Sequence, residues 1–352
     1  MFTTEIVAET PDEGLFETLR AIQGQLPRES RNGPTVEFSG PATIVYVDPL
    51  KRVLFDETRD CNAFFALFES FHMLGGRQDL ASIVYFNTKF GQYSDDGKII
   101  RGSAYGQRWR HWFGHDQLET ARKLFEKDGV DTRRSVIMQW DAASDPVVES
   151  KDIPCNTQCC LLTREGQLEL TVFNRSNDVI FGTFGSNIVH FSMLLEYMGY
   201  LTDLPIGKYF QVSNCLHAYT EFDIYKKIAP TILEDNSTPE DRYASRKVRT
   251  SPMLGYGETV EQLDADIKLL LDSHAEGLTW DEPSGVPMLD PQVYQTSFFT
   301  EVVLPMMRAW RHYKSKKDAR GAARLLQAVI DKSEIPYDWH VAGLEWMERR
   351  IK

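Results

Sequence analysis

Apolar positions along this chain repeat in two rhythms, one every second residue and one every third or fourth. Strict alternation marks 167–173, where Leu168, Leu170 and Val172 take one face of a half-buried strand. An apolar run at 159–163 precedes it, and Arg164-Glu165-Gly166 between the two reads as a hairpin turn. Further strand patterns fall at 35–38, 43–47, 135–140 and 208–212. The helical rhythm appears at Leu15-Leu19-Ile22, again at 117–127, and over 58–74, where Ala63, Phe64, Leu67, Phe68, Phe71 and Leu74 form a core stripe. A glycine-rich turn at 182–187 leads into another helix, with Ile188, Phe191, Leu194, Leu195 and Met198 facing inward. From about residue 235 the pattern is helical only, at 258–273, 298–313, 321–330 and 339–351, with Pro, Gly and Asp in the turns. The expected class is α+β, with a core over 1–235 and a helical C-terminal extension over 236–352 packed on it as one structural unit.

The hairpin carries the candidate chemistry. Centred on Glu165, its pairing sets Cys155 across from Arg175, and cross-strand neighbours lie roughly 4.5–5.5 Å apart. A guanidinium that close is expected to lower a thiol pKa from about 8.5 towards roughly 3.5–7.5, which makes a nucleophile. A lone cysteine on a hairpin is more often a small buried hydrophobe beside a surface arginine. Here the continuation Arg175-Ser176-Asn177-Asp178 adds a hydroxyl, an amide and a carboxylate beside the same thiol. Glu69, in the 58–74 helix among Phe65, His72 and Met73, is a second candidate, because a carboxylate in apolar surroundings is suited to proton transfer.

Pro154-Cys155 at the start of a strand, Asn174-Arg175-Ser176-x-Asp178-x-x-x-Gly182 and a following Asn187 resemble the thymidylate synthase superfamily. The resemblance is to its phage-type branch of pyrimidine nucleotide hydroxymethylases, because housekeeping synthases have one residue fewer between this glycine and asparagine. Glu69-x-x-x-x-Leu74-x-Gly76-x-x-Asp79, Tyr105-Gly106 with its following Trp109-Arg110, and His217-x-Tyr219 extend it over roughly residues 28 to 225. It implies a thymidylate synthase-like fold, with a large mixed sheet at a dimer interface and flanking helices. Cys155 would then be the nucleophile, with Glu69, Tyr105, Asp178 and Asn187 as further catalytic residues. Arg31, Arg175 and Ser176 would hold the nucleotide phosphate, joined by Arg133 and Arg134 crossing from the partner of an obligate homodimer. Arginine suits that task because its planar fork matches phosphate oxygens. His217 and Tyr219 would hold the sugar, and Asn187 with Ser186 would meet the base. Asp178, Gly182 and Phe90 would contact the co-substrate 5,10-methylenetetrahydrofolate, and no metal is implied.

Three departures from the family pattern stand out. His72 and Cys215 replace a tryptophan and an aspartate. Phe86, Phe90 and Tyr93 stand where the synthases carry a tryptophan pair, and a less shielded pocket would admit water. Water attack gives a 5-hydroxymethyl nucleotide, whereas hydride from the folate gives a methyl group and dihydrofolate. A hydroxymethylase, a thymidylate synthase with an unusual C-terminus and a non-catalytic nucleotide-binding homologue therefore remain in competition. An asparagine amide at 187 serves uracil or, flipped, cytosine; the missing base-reading aspartate of deoxycytidylate enzymes tilts the choice to uracil.

Composition narrows the setting. A net charge of −12 disfavours a general nucleic-acid binder, but a local arginine cluster can still hold a small anion. The five cysteines are irregularly spaced with no CxxC, which argues against a disulfide framework or a structural zinc site. No membrane-spanning run or signal-like N-terminus stands out in the sequence, so a reducing cytoplasm is the expected compartment.

Overall fold

A computed structural model describes residues 4–25, 27–234, 238–275 and 290–351. In chain order the first part comprises β1 (Thr4–Ala8), α1 (Pro11–Ile22), β2 (Pro27–Arg28), β3 (Thr35–Glu37) and β4 (Ala42–Tyr46). Helices α2 (Ala63–Leu74), α3 (Leu80–Phe86), α4 (Tyr105–Gln107) and α5 (Gln117–Asp128) follow. Then come β5 (Val136–Met138), β6 (Asn156–Arg164), β7 (Gln167–Asn174), β8 (Asn177–Asp178), α6 (Ile188–Thr202), β9 (Ile206–Ser213) and β10 (Leu216–Tyr219). The rest is α7 (Asp223–Glu234), α8 (Val260–Ala275), α9 (Leu304–Lys316), α10 (Ala319–Ile330) and α11 (Asp338–Glu348). The chain divides into two compact units, 1–61 with 108–241 and 62–107 with 242–352.

The first unit holds both sheets. Six strands run β1-β4-β9-β7-β6-β5, and four shorter ones run β2-β3-β10-β8. The β6–β7 hairpin turns through Glu165 (φ 51°) and Gly166 (φ 77°), the positive-φ pair of a two-residue primed turn that matches strand twist. Pairing from Arg164↔Gln167 to Gln158↔Phe173 is one residue out of the register centred on Glu165. A bulge at Thr157 then shifts it back, so Asn156 pairs with Asn174 and the Arg175 N–H donates to the Cys155 carbonyl at 2.9 Å. The expected opposition of Cys155 and Arg175 is therefore made by a bulge that the alternation could not show.

Residues 182–187, read from their glycines as a turn, are helical instead. Val179–Asn187 forms a π-type helix kinked at Phe184 and running into α6. A π turn takes one more residue than an α turn. Gly182 is required there by contact: a Cβ on it would lie 2.3 Å from Asn177 Oδ1. By length and composition the stretch Val179–Thr202 could cross a membrane, but 83% of its apolar window is buried inside the protein, as in a core helix. Burial of the Arg52–Glu196 ion pair fixes α6 further.

The second unit is built around α2. This helix begins at Ala63 rather than 58, because Asn62 caps it by accepting from the Phe65 N–H at 3.2 Å. All twelve of its residues are buried, not only the expected stripe. A helix apolar on every side needs cover on every side. Trp310 of α9 and Trp346 of α11 meet Phe64 at 5.3 and 5.7 Å, and Phe299 meets Phe71 at 5.0 Å. His72, where the family has tryptophan, places Nε2 3.2 Å from the Asp79 carbonyl. Asp79 caps α3 in turn, and although burial opposes its charge, hydrogen bonds from His72, Ser82 and Arg77 hold its carboxyl well below the usual range. Within the polar stretch 87–96, Thr88–Tyr93 forms a 3-10 helix. In the C-terminal part the expected 298–313 helix starts as a π turn, Phe298–Val303, before α9.

Candidate active site

In the first unit the N-terminal end of β6 places Cys155, half-buried, with its Sγ 4.0 Å from an Arg175 guanidinium nitrogen. The exposed Arg175 is anchored by Nε to the Pro154 carbonyl at 2.8 Å and lies over the Trp140 ring at 5.7 Å. Arg31 also acts electrostatically on this thiol. The sequence led to a thiol lowered by arginine, and the structure corrects that. Burial is the larger effect and pushes the Cys155 thiol up, while Arg175 and Arg31 pull against it and Asp152 and Asp178 reinforce burial. A sulfur kept largely protonated becomes a nucleophile only when something further favours the thiolate.

The arginines form an exposed set. Arg31 and Arg133 make no hydrogen bond or ion pair with any described residue. Arg134 is tied to Asp128, with Nε donating at 3.0 Å. Arg28, the other arginine of the first loop, is held by Glu37 at 2.7 Å.

Strand β10 pairs with β8 on one side and β3 on the other, which sets His217 between Asp178 and Glu37. His217 and Tyr219 share a face, their rings edge to face at 5.0 Å. Asn32 donates to the Tyr219 hydroxyl at 3.4 Å. Asp178 caps the π helix through Oδ1, which accepts from the Phe181 N–H at 2.5 Å. Its Oδ2 is buried with no hydrogen-bond partner among the described residues, and burial pushes this carboxyl up against the pull of the Phe181 N–H, His217 and Arg59. An orphaned carboxylate oxygen suits a ligand edge rich in N–H donors, as a pterin offers. Cys215, in place of the family's aspartate, donates its thiol proton to Glu37 Oε2 at 2.8 Å. Burial and then Glu37 push the Cys215 pKa up to about 11, and the same bond is the main cause holding the Glu37 carboxyl low.

Behind Cys155 runs a buried chain of neutral polar groups with no counterpart in the sequence reading. Tyr209 Oη donates to Gln211 Oε1 at 2.9 Å, and Gln211 Nε2 to Asn174 Oδ1 at 3.2 Å. Asn174 donates to Asn156, the neighbour of Cys155. Asn177 Nδ2 donates to Thr183 Oγ1 at 2.7 Å and to Ser213 Oγ at 3.4 Å. Asn177 Oδ1 accepts from Asn187 Nδ2 at 3.2 Å. Each residue of the chain is buried. Only the run of Asn, Gln and Ser at strand positions facing the core hinted at it.

The second unit holds the other candidates. Glu69 is 2% exposed and Tyr105 is buried. Gly106 follows Tyr105 because a Cβ there would lie 1.7 Å from the Met73 carbonyl oxygen. Phe90 is half-buried against Phe65 and Tyr93, at 5.2 and 5.6 Å. Phe86, expected in the pocket, is instead core, stacked on Phe68 at 4.2 Å and on Trp310 at 5.3 Å.

A cysteine opposed by an arginine, a capping aspartate and a helix-borne asparagine on a mixed sheet are the features that resemble the thymidylate synthase superfamily. The thymidylate synthase family model matches residues 65–266, and the chain belongs to that family. A deoxyuridylate hydroxymethyltransferase of Pseudomonas phage M6 is 38% identical over 331 residues, which are 92% of this chain and 87% of the relative. One of Bacillus phage SP01 is 35% identical over 199 residues, 54% of this chain and 52% of the relative. Among solved structures, thymidylate synthase from T4 phage superposes with a TM-score of 0.52, covering 65% of this chain and 81% of that one. At 17% identity that likeness shows the fold alone.

Proposed function

We propose that this chain is a deoxyuridylate 5-hydroxymethylase. The observation that carries it is the Cys155 thiol 4.0 Å from the Arg175 guanidinium, beside the amide chain that ends at Asn187. The phage relatives named as deoxyuridylate hydroxymethyltransferases support the base and the product.

Neutral C5 of a pyrimidine is a weak nucleophile, so covalent activation comes first. Cys155 adds as thiolate to C6, and the electron pair moves to C5. The nucleotide phosphate is held by Arg31, Arg175 and Ser176, with Arg133 and Arg134 supplied by the second subunit of a homodimer. Asn187, with Ser186 beside it, meets the base edge, and His217 and Tyr219 hold the sugar hydroxyl. 5,10-Methylenetetrahydrofolate is the co-substrate that supplies the one-carbon unit. Asp178 Oδ2 receives its pterin donors, with Gly182 and Phe90 as further contacts. C5 bonds to the one-carbon unit, and loss of the C5 proton together with departure of tetrahydrofolate as the leaving group leaves an exocyclic methylene on the nucleotide. Water, oriented by Glu69 and Tyr105, adds to that methylene and gives up a proton. The electron pair returned to the ring then expels the Cys155 thiolate and restores the C5–C6 double bond. The work is done in a reducing cytoplasm, which keeps this cysteine free.

The test is incubation of the protein with methylenetetrahydrofolate and either deoxyuridylate or deoxycytidylate, reading nucleotide mass and dihydrofolate absorbance. A hydroxymethyl mass gain on deoxyuridylate without dihydrofolate is expected. A methyl gain with dihydrofolate would make the chain a thymidylate synthase. Absence of both products would leave a nucleotide-binding homologue.

A further inference from the structure

The amide of Asn187 can present its oxygen and nitrogen to a base in either of two flips, and nothing in Asn187 itself chooses between them. The choice is made one residue back in the buried chain. Both donors of Asn177 are committed, to Thr183 Oγ1 at 2.7 Å and Ser213 Oγ at 3.4 Å. Ser213 Oγ gives its one proton to Asn174 Oδ1 at 3.5 Å and so accepts from Asn177, which turns Asn177 Oδ1 to Asn187, where it accepts from Asn187 Nδ2 at 3.2 Å. Were Asn187 flipped, two carbonyl oxygens would face each other at that distance with no proton between them, in a site where both residues are buried. Gly182 leaves the room this contact needs, because any Cβ there would collide with the same oxygen at 2.3 Å.

We propose that Asn177 is the residue that sets base specificity, by holding the Asn187 amide in one flip. The inference rests on the proposed function. Uracil presents an acceptor at O4 and a donor at N3, and cytosine presents the reverse, so an amide locked in one sense serves one base and opposes the other. One N–H of Asn187 goes to Asn177, and the other stays with Oδ1 as a donor–acceptor pair for the base. Asn177 touches no substrate in this account and acts as a positioning residue.

The experiment compares deoxyuridylate with deoxycytidylate in the wild type and in Asn177→Leu, Asn177→Ser and Asn177→Asp. Each is read as kcat/KM and as nucleotide Kd by calorimetry, with thermal melting to confirm folding. Leucine and the shorter serine remove the acceptor that Asn187 uses, so the uracil-over-cytosine ratio is expected to fall by about tenfold or more. Aspartate keeps an acceptor towards Asn187 while the Thr183 hydroxyl turns to donate to it, so its ratio is expected to stay within about threefold of wild type. An unchanged ratio in both the leucine and serine variants, or an equal fall in the aspartate variant, would overturn the proposal. The Kd ratio reports on Asn177 even in a protein that forms no product, whereas absence of product in the wild type counts against the proposed reaction alone.

Discussion

The two sides of Cys155 are built from opposite materials. Outward lie cations: Arg175 anchored through a backbone carbonyl, and Arg31 exposed with no hydrogen bond or ion pair among the described residues. Inward lies a row of neutral amides and hydroxyls, from Asn156 through Asn174, Gln211, Ser213 and Asn177 to Asn187. The difference follows from solvation. Charges kept at the surface cost little to hold and can be given to a phosphate, whereas buried groups must be neutral and paired with one another. In the proposed function, phosphate binding and base recognition would fall to different chemistries on either side of one sulfur.

The largest expected effect removes the atom both sides serve. Cys155→Ala should lower kcat by at least about 10⁴-fold, while calorimetry shows deoxyuridylate still bound. Next is the outward side. Arg175→Gln should reduce kcat/KM by roughly 10²–10³-fold, since it loses a phosphate contact and the cation nearest the thiol. Burial already holds the Cys155 pKa up and Arg175 opposes that, so the variant's pKa lies higher still. The rising limb of its kcat/KM against pH should therefore move to more alkaline pH, and a profile that does not move would deny the guanidinium any part in activating the sulfur.

The inward side should answer in stability. Asn174→Leu strips Gln211 and Asn156 of a buried partner and should cost about 1–3 kcal/mol in urea denaturation. The smallest effect is at the rim. Arg133→Gln should raise the deoxyuridylate KM by about tenfold with kcat unchanged, and added salt should narrow the gap between variant and wild type. A kcat loss in that variant would mean the outer arginines do more than hold the phosphate.

Local periodicity carried much of this architecture, because period-two and period-3.6 patterns report directly which face is buried. The hairpin, α2, α5 and α6 were legible on those grounds. Other features were not, since their causes are not local. Gly182 and Gly185 looked like turn residues, yet Gly182 is there because Asn177 touches it. The exposed Arg175 was visible as a partner for Cys155, but the degree of burial that outweighs it was not. In the same way, Phe86 could not be told from a pocket residue until Phe68 and Trp310 were found stacked against it. The links from Asn177 to Thr183, Ser213 and Asn187 join residues from three elements that follow no common period, so core-facing amides and hydroxyls in the strands were the one sign of this buried chain.

The central claim concerns a bond between one sulfur and C6 of a uracil ring, and it can be weighed directly. A deoxyuridylate bearing fluorine at C5 has no proton to lose there, so the reaction should stop with the nucleotide still attached to the protein. Intact-protein mass spectrometry after incubation with that analogue and methylenetetrahydrofolate, followed by peptide mapping, should show one nucleotide–folate adduct per chain on Cys155. An unmodified chain, or an adduct on Cys160 or Cys215 instead, would contradict the account.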